Sequence, residues 1–349
     1  MPPHLPTAAP PATTTALPLQ NRPGGRHQPT APAQHGPTTS RVTSPEGPAI
    51  RRRRGCPHGR TADDLLGVPV AGYTPLEVLR RRGCQNVYRA KTPGGGHAAL
   101  KTTCLDADPN ALARARNEVL GLRQTATHPL VADLVGHGNH DGLHYLATAW
   151  QRGVSLHQLL EHLDRSMTAW SPTGAEVFTR LALALCHALD GLHHHGVVHG
   201  DLSPRNILAG HGTTITLIDL DSCARTGDPD PALRRGATIM YAAPECLAPR
   251  PRPVPGPTAD QYSTAAILYR VLQQRHHLPH ATRRTTVREF QLTRPPRLLT
   301  GWPATTWPGL AAVLHQALHP DSEHRHPTTG DFTSHLRAAL ALARSGATP

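Results

Sequence analysis

Asp201, Asn206 and Asp219 carry complementary chemistry within one short stretch, His199-Gly-Asp-Leu-Ser-Pro-Arg-Asn206 followed by Ile218-Asp-Leu-Asp221. One carboxylate can orient an attacking hydroxyl and take its proton. An Asn and a second carboxylate can hold magnesium on a phosphate chain, which is what phosphoryl transfer requires. Alone, H-x-D-x-x-x-x-N is a weak signal in a chain with 25 His, so its weight depends on the elements that must position it.

Those elements are legible on both sides. Val177, Leu181, Leu185, Ala188 and Leu192 recur at helical spacing, opened by Ser171-Pro172 and closed by Gly196, and predict a helix that delivers the loop. Ile207-Leu208 and Ile215 to Ile218 flank a Gly210-His-Gly212 turn and predict a hairpin whose second strand ends at Asp219. Farther upstream, Asp108-Pro109 opens a helix whose inward stripe is Leu112, Ala115, Val119 and Leu122, and which ends before His128-Pro129. Glu118 lies on the flank of that stripe and can face inward.

Helix, loop, hairpin and second aspartate in this order resemble the catalytic centre of the protein kinase family. Thr238, Tyr241 and Ala243-Pro-Glu245 resemble the end of a kinase activation segment, which receives the protein substrate. Asp260 to Ser263 resembles the start of the large buried helix whose aspartate braces the catalytic loop. Pro320 with Arg325 resembles the late element whose arginine pairs with the glutamate of A-P-E, here Glu245; surface charge is the other reading of Arg325. Lys101, one of only two lysines in the chain, resembles the lysine that neutralises the α and β phosphates, with Glu118 as its ion-pair partner. Tyr145 to Gln151 resembles the fifth strand and hinge. The resemblance implies Thr148, Ala149 and Gln151 along the adenine edge and Val87, Ala99 and Leu208 on its faces.

The fold thus implied is α+β and two-lobed, with a small antiparallel sheet and one helix over residues 73–148 and a mainly helical part over 149–342. The implied cofactors are ATP and Mg2+, the metal held by Asn206 and Asp219. Asp201 is the implied base, Lys101 with Glu118 the phosphate clamp and Arg205 a transition-state charge. Protein Ser/Thr hydroxyls are the implied substrates. A pseudokinase that binds or scaffolds without turnover is one alternative. A small-molecule phosphotransferase of the aminoglycoside-kinase kind is another, although that kind lacks A-P-E and the late arginine.

The chain departs from the family pattern at several places. Arg80, Arg82 and Gln85 stand where the glycine-rich loop has its three glycines, which should weaken a backbone cradle for phosphate. Arg80, Arg81 and Arg82 either meet phosphate through their side chains or are exposed charge on a strand edge, and exposed charge is the expectation. Gly200 replaces the arginine of H-R-D, so activation by loop phosphorylation is not expected. D-F-G has become Asp219-Leu-Asp221, whose extra carboxylate either binds metal or caps a turn.

The first 60 residues are different material, with 12 Pro in the first 50 positions and the run Arg51 to Arg54. A disordered tail over residues 1–62 is expected, able to meet acidic surfaces but without specific nucleic-acid binding. It carries much of the formal net charge of +12. No stretch reaches the length of a membrane span and no signal-peptide core is present, so a cytoplasmic protein with free thiols at its six Cys is expected. The histidines show no zinc spacing. Pro249, Pro251, Pro253, Pro255 and Pro257 alternate, either as a stiff rim beside the substrate site or as an ordinary connector, and a connector is favoured.

Overall fold

A computed structural model describes residues 61–166, 172–226, 236–249 and 253–341, all within the compact unit Arg52–Pro349. The expected disordered tail falls almost wholly outside the described residues, as do residues 250–252 of the proline run.

The first part is an antiparallel sheet built from β1 (Thr74–Arg82), β2 (Gln85–Lys91), β3 (His97–Cys104), β4 (Leu134–His140) and β5 (Leu143–Ala149), in the order β1-β2-β3-β5-β4. Between β3 and β4 runs α1 (Pro109–Gln124), capped by Asp108, whose carboxylate accepts the Asn110 N–H at 3.1 Å. Side chains alternate along each strand. Tyr88 and Leu100 are opposite one another and enter the sheet's core, as does Ala147. Val87 and Lys101 are paired on the other face, as are Ala99 and Thr148. A slip of one residue would exchange Leu100 for Lys101 in that core, so burial fixes the register that places the lysine. Ala62, Leu65 and Val70 belong to the same core, ahead of the first strand.

The second part begins with β6 (Val154–Ser155) and α2 (Leu156–Ser166). It continues through α3 (Pro172–His194), β7 (Val197–Val198), β8 (Ile207–Ala209), β9 (Ile215–Leu217) and β10 (Ala224–Arg225). The expected hairpin is present, with Ile207 opposite Leu217. In α3 the helix forms as expected, but Val177 is 49 % exposed and Phe178 takes the core position beside Trp307. Helices α4 (Pro244–Leu247), α5 (Pro257–Gln273), α6 (Arg284–Thr293), α7 (Trp302–Thr306), α8 (Leu310–Ala317) and α9 (Thr329–Ala341) complete this part. Helix α5 is small or apolar nearly all round and buried from Ala259 to Tyr269, the environment such a composition requires. Its neighbours in the core are Leu185, Leu189, Leu310, Leu314 and Leu336.

Candidate active site

Between the sheet and the helical part lies a cleft of about 480 Å³. Val87, Ala99, Lys101, Thr148, Ala149, Gln151 and Leu208 all line it, together with Glu118, Arg205, Asn206 and Asp219. Leu79, Leu122, Ala132, Leu146 and Ile218 line it too. They escaped the sequence reading as cleft residues because an apolar side chain carries no mark that separates cleft from core.

At the inner end, Lys101 Nζ donates to Glu118 Oε2 at 2.6 Å and to Asp219 Oδ1 at 2.7 Å. The other oxygen of Asp219 accepts from Arg80 Nη2 at 3.1 Å. Burial alone would lower the lysine's pKa, but Asp219 and Glu118 more than offset it and hold the ammonium charged. Burial likewise opposes ionisation of Asp219, yet Lys101 and Arg80 keep its carboxyl well below the usual range. Glu118 has the opposite fate: burial, aided by Asp219 and Asp221, pushes it up to about 7 despite Lys101. Asp219 itself is left-handed, with φ +66, a conformation a non-glycine residue keeps only where its surroundings enforce it.

Asp201 stands on the loop after β7. Its Oδ1 accepts the Thr238 N–H at 2.6 Å, while its backbone carbonyl accepts Asn206 Nδ2 at 2.8 Å. Burial pushes its carboxyl up to about 6, against the Thr238 bonds that hold it down. With its amide nitrogen committed to Asp201, Asn206 has its oxygen left for the cleft, beside Asp219. Two oxygen donors of this kind suit a hard cation such as Mg2+ that takes its remaining ligands from phosphates. Among the described residues no group of three His, Cys, Asp or Glu could hold a metal by itself.

The loop is braced from below. Asp260 of α5 accepts the His199 N–H at 2.7 Å and the Gly200 N–H at 3.0 Å, and pairs with His193 Nε2 at 2.9 Å. At Gly200, φ is +75 and a Cβ would come within 2.5 Å of the Ser222 carbonyl, so this backbone admits glycine and resists the family's arginine. Arg325 forms a two-pronged pair with Glu245, at 2.7 and 2.9 Å, and is wholly buried; the surface-charge reading does not hold.

Three expectations need correction. Arg80 is not exposed edge charge but a cleft residue on Asp219, whereas Arg81 and Arg82 do remain exposed. Asp221, read as a metal ligand or a turn cap, does not line the cleft. It accepts the Ser222 hydroxyl at 2.8 Å and faces Arg114 of α1 at 3.8 Å. Finally, Cys84, Cys186, Cys223 and Cys246 are free thiols, but Cys104 is disulfide-bonded, with its partner outside the described residues.

The family profile described as protein kinase domain matches residues 83–335, and the chain belongs to that family. It is 28% identical over 286 residues to the serine/threonine-protein kinase PknF of Mycobacterium tuberculosis, covering 79% of this chain and 58% of the relative. It is 27% identical over 294 residues to PknE of Mycobacterium bovis (81% and 49%) and 26% identical over 306 residues to Pkn1 of Myxococcus xanthus (83% and 42%), both also named serine/threonine-protein kinases. The chain thus spans about half the length of these curated relatives. Among the described residues no helix is long and apolar enough to cross a membrane.

Proposed function

We propose that the chain is an ATP-dependent protein kinase acting on serine and threonine hydroxyls. The observation that carries this reading is the Lys101 ammonium held between Glu118 and Asp219 in a nucleotide-sized cleft. The adenine edge is assigned to Thr148 and the backbone of Ala149 to Gln151; the Ala149 carbonyl now accepts the Gln151 side-chain amide at 3.4 Å. Val87, Ala99 and Leu208 cover the faces of the base.

Asn206 and Asp219 are assigned to Mg2+, which neutralises charge on the phosphates when bound. Asp201 orients the substrate hydroxyl and accepts its proton. As the hydroxyl oxygen bonds to the γ-phosphorus, the bond to the β,γ-bridging oxygen breaks and ADP leaves with that electron pair. Lys101 steadies the α and β phosphates, and Arg205, exposed at the cleft's edge, supplies charge to the transferring group. Thr238, standing at the position that bonds Asp201, supports a serine/threonine over a tyrosine specificity, and Arg205 opposes it. Domain limits of 73–148 and 149–342 follow from the same reading, as does a basic tail that meets acidic partners.

A second reading, nucleotide binding without turnover, is favoured by Arg80 on the metal-ligand carboxylate. Intact-mass analysis after incubation with Mg-ATP and a generic protein substrate, with Asp201→Asn alongside, decides between them. Phosphate added by the wild type and lost in the variant is the expected result. No transfer, with thermal stabilisation by nucleotide, would establish the second reading instead. Transfer to an aminoglycoside but not to protein would point to a small-molecule phosphotransferase.

A further inference from the structure

We infer that Arg80 is a phosphate-binding residue of the nucleotide site, which leaves Asp219 for the polyphosphate of ATP when nucleotide enters. The inference rests on the nucleotide reading of the cleft and adds a group that the family pattern does not contain, since a glycine is usual at this position.

A bulge in the β1–β2 pairing between Val78 and Arg80 breaks the alternation of the strand, so that Leu79 and Arg80, consecutive in sequence, both line the cleft. The neighbouring arginines do not follow. Arg81 turns away to a two-pronged pair with Asp63, both bonds at 2.7 Å, and Arg82 is exposed. The single glycine of the hairpin, Gly83, sits at its tight turn with φ +59 and does not line the cleft. Phosphate recognition at this edge therefore falls to a side chain.

Both oxygens of Asp219 are occupied by cations, Oδ1 by Lys101 and Oδ2 by Arg80. A divalent cation on Asp219 competes with both of them for the carboxylate. Lys101 is 7 % exposed and also held by Glu118, whereas the Arg80 side chain is 37 % exposed and bonded only at its tip, so Arg80 is the one that moves. Its guanidinium stays charged at any working pH, and its planar fork matches phosphate oxygens. The polyphosphate that arrives with the metal offers the nearest new anion. In the exchange the cation replaces Arg80 on Asp219, and Arg80 meets the phosphates. Before nucleotide binds, the same arginine offsets the carboxylates crowded around Lys101.

The test is calorimetric titration of the full chain with Mg-ATP and with adenosine, comparing wild type, Arg80→Ala, Arg80→Lys and Arg82→Ala. The expected result is that Arg80→Ala weakens Mg-ATP binding about tenfold to a hundredfold, the range for a charge-assisted bond. Adenosine binding should be unchanged, Arg80→Lys should recover part of the loss, and Arg82→Ala should match wild type. Unchanged ATP affinity in Arg80→Ala would overturn the inference. So would a gain in affinity, which would make the arginine a plug, or an equal loss of adenosine, which would make its role structural. Wild-type protein that binds neither ligand would remove the nucleotide reading itself, an outcome distinct from these.

Discussion

Asp201 and Asp219 are both half-buried carboxylates, yet their neighbours send their proton affinities in opposite directions. Asp219 sits between two cations and stays ionised, as its proposed role as a metal ligand requires. Asp201 has no Lys or Arg against it among the described residues. Burial lifts it to about 6, and the Thr238 bonds restrain it. A raised carboxylate is protonated, and idle as a base, below its own pKa. The rate should therefore rise with pH up to about 6 and then level, whereas an ordinary carboxylate with the reference value of 3.8 would leave it flat from pH 5 upward. Measuring kcat/KM between pH 5 and 8 checks this. Because Glu118 is also raised, to about 7, the profile should be repeated with Glu118→Gln, in which the limb near 6 must persist if it belongs to Asp201. Asp201→Asn should lower the rate by about a hundredfold to ten-thousandfold and remove the limb.

Helix α1 is tied to the segment around Asp219 by more than the Glu118 pair. Buried Asn117 Nδ2 donates to the Cys223 carbonyl at 2.9 Å and to the Asp221 carbonyl at 3.3 Å, and Arg114 faces Asp221 one turn earlier. These contacts fix the helix against the segment that carries Asp219, and so fix where Lys101 meets Glu118. Asn117→Ala strands two buried carbonyls and should cost about 1–3 kcal/mol in denaturant unfolding. By letting the helix shift, it should also lower kcat/KM for ATP by roughly tenfold or more; an unaltered rate with the stability loss would show that the tie is structural only. The helices and strands that place Asp201, Asn206, Asp219 and Lys101 were legible because their apolar periods and caps are local. Glu118 was legible for the same reason, since its place beside the stripe of α1 predicts an inward carboxylate. Arg80 was not. Its aim is set by a bulge in the pairing of β1 with β2, and a run of three arginines gives no sign of which one is turned inward. Asp221 escaped similarly, because its partner Arg114 lies far off in sequence on another element.

Across the whole molecule, one buried arginine joins segments remote in sequence. Arg325 donates to Glu245 with both prongs, and further to the carbonyls of His319, Thr258 and Pro320, with its guanidinium over the Tyr262 ring. It thereby connects the A-P-E segment, the start of α5 and the turn before α9. The Arg81–Asp63 pair has the same two-pronged geometry, but its side chains are 55% and 58% exposed, so water competes for both partners. Geometry alone predicts equal worth for the two pairs, and desolvation predicts a large difference. Arg325→Ala empties a fully buried site and leaves half-buried Glu245 and three carbonyls without their donor, and should cost about 3–5 kcal/mol. Arg81→Ala should cost less than about 1 kcal/mol. Arg325→Lys, which keeps the charge but loses the fork, should fall between them. Urea unfolding of the three variants measures this order directly. Equal midpoints for Arg325→Ala and Arg81→Ala would mean that the buried pair is not what holds the activation segment to the helical core.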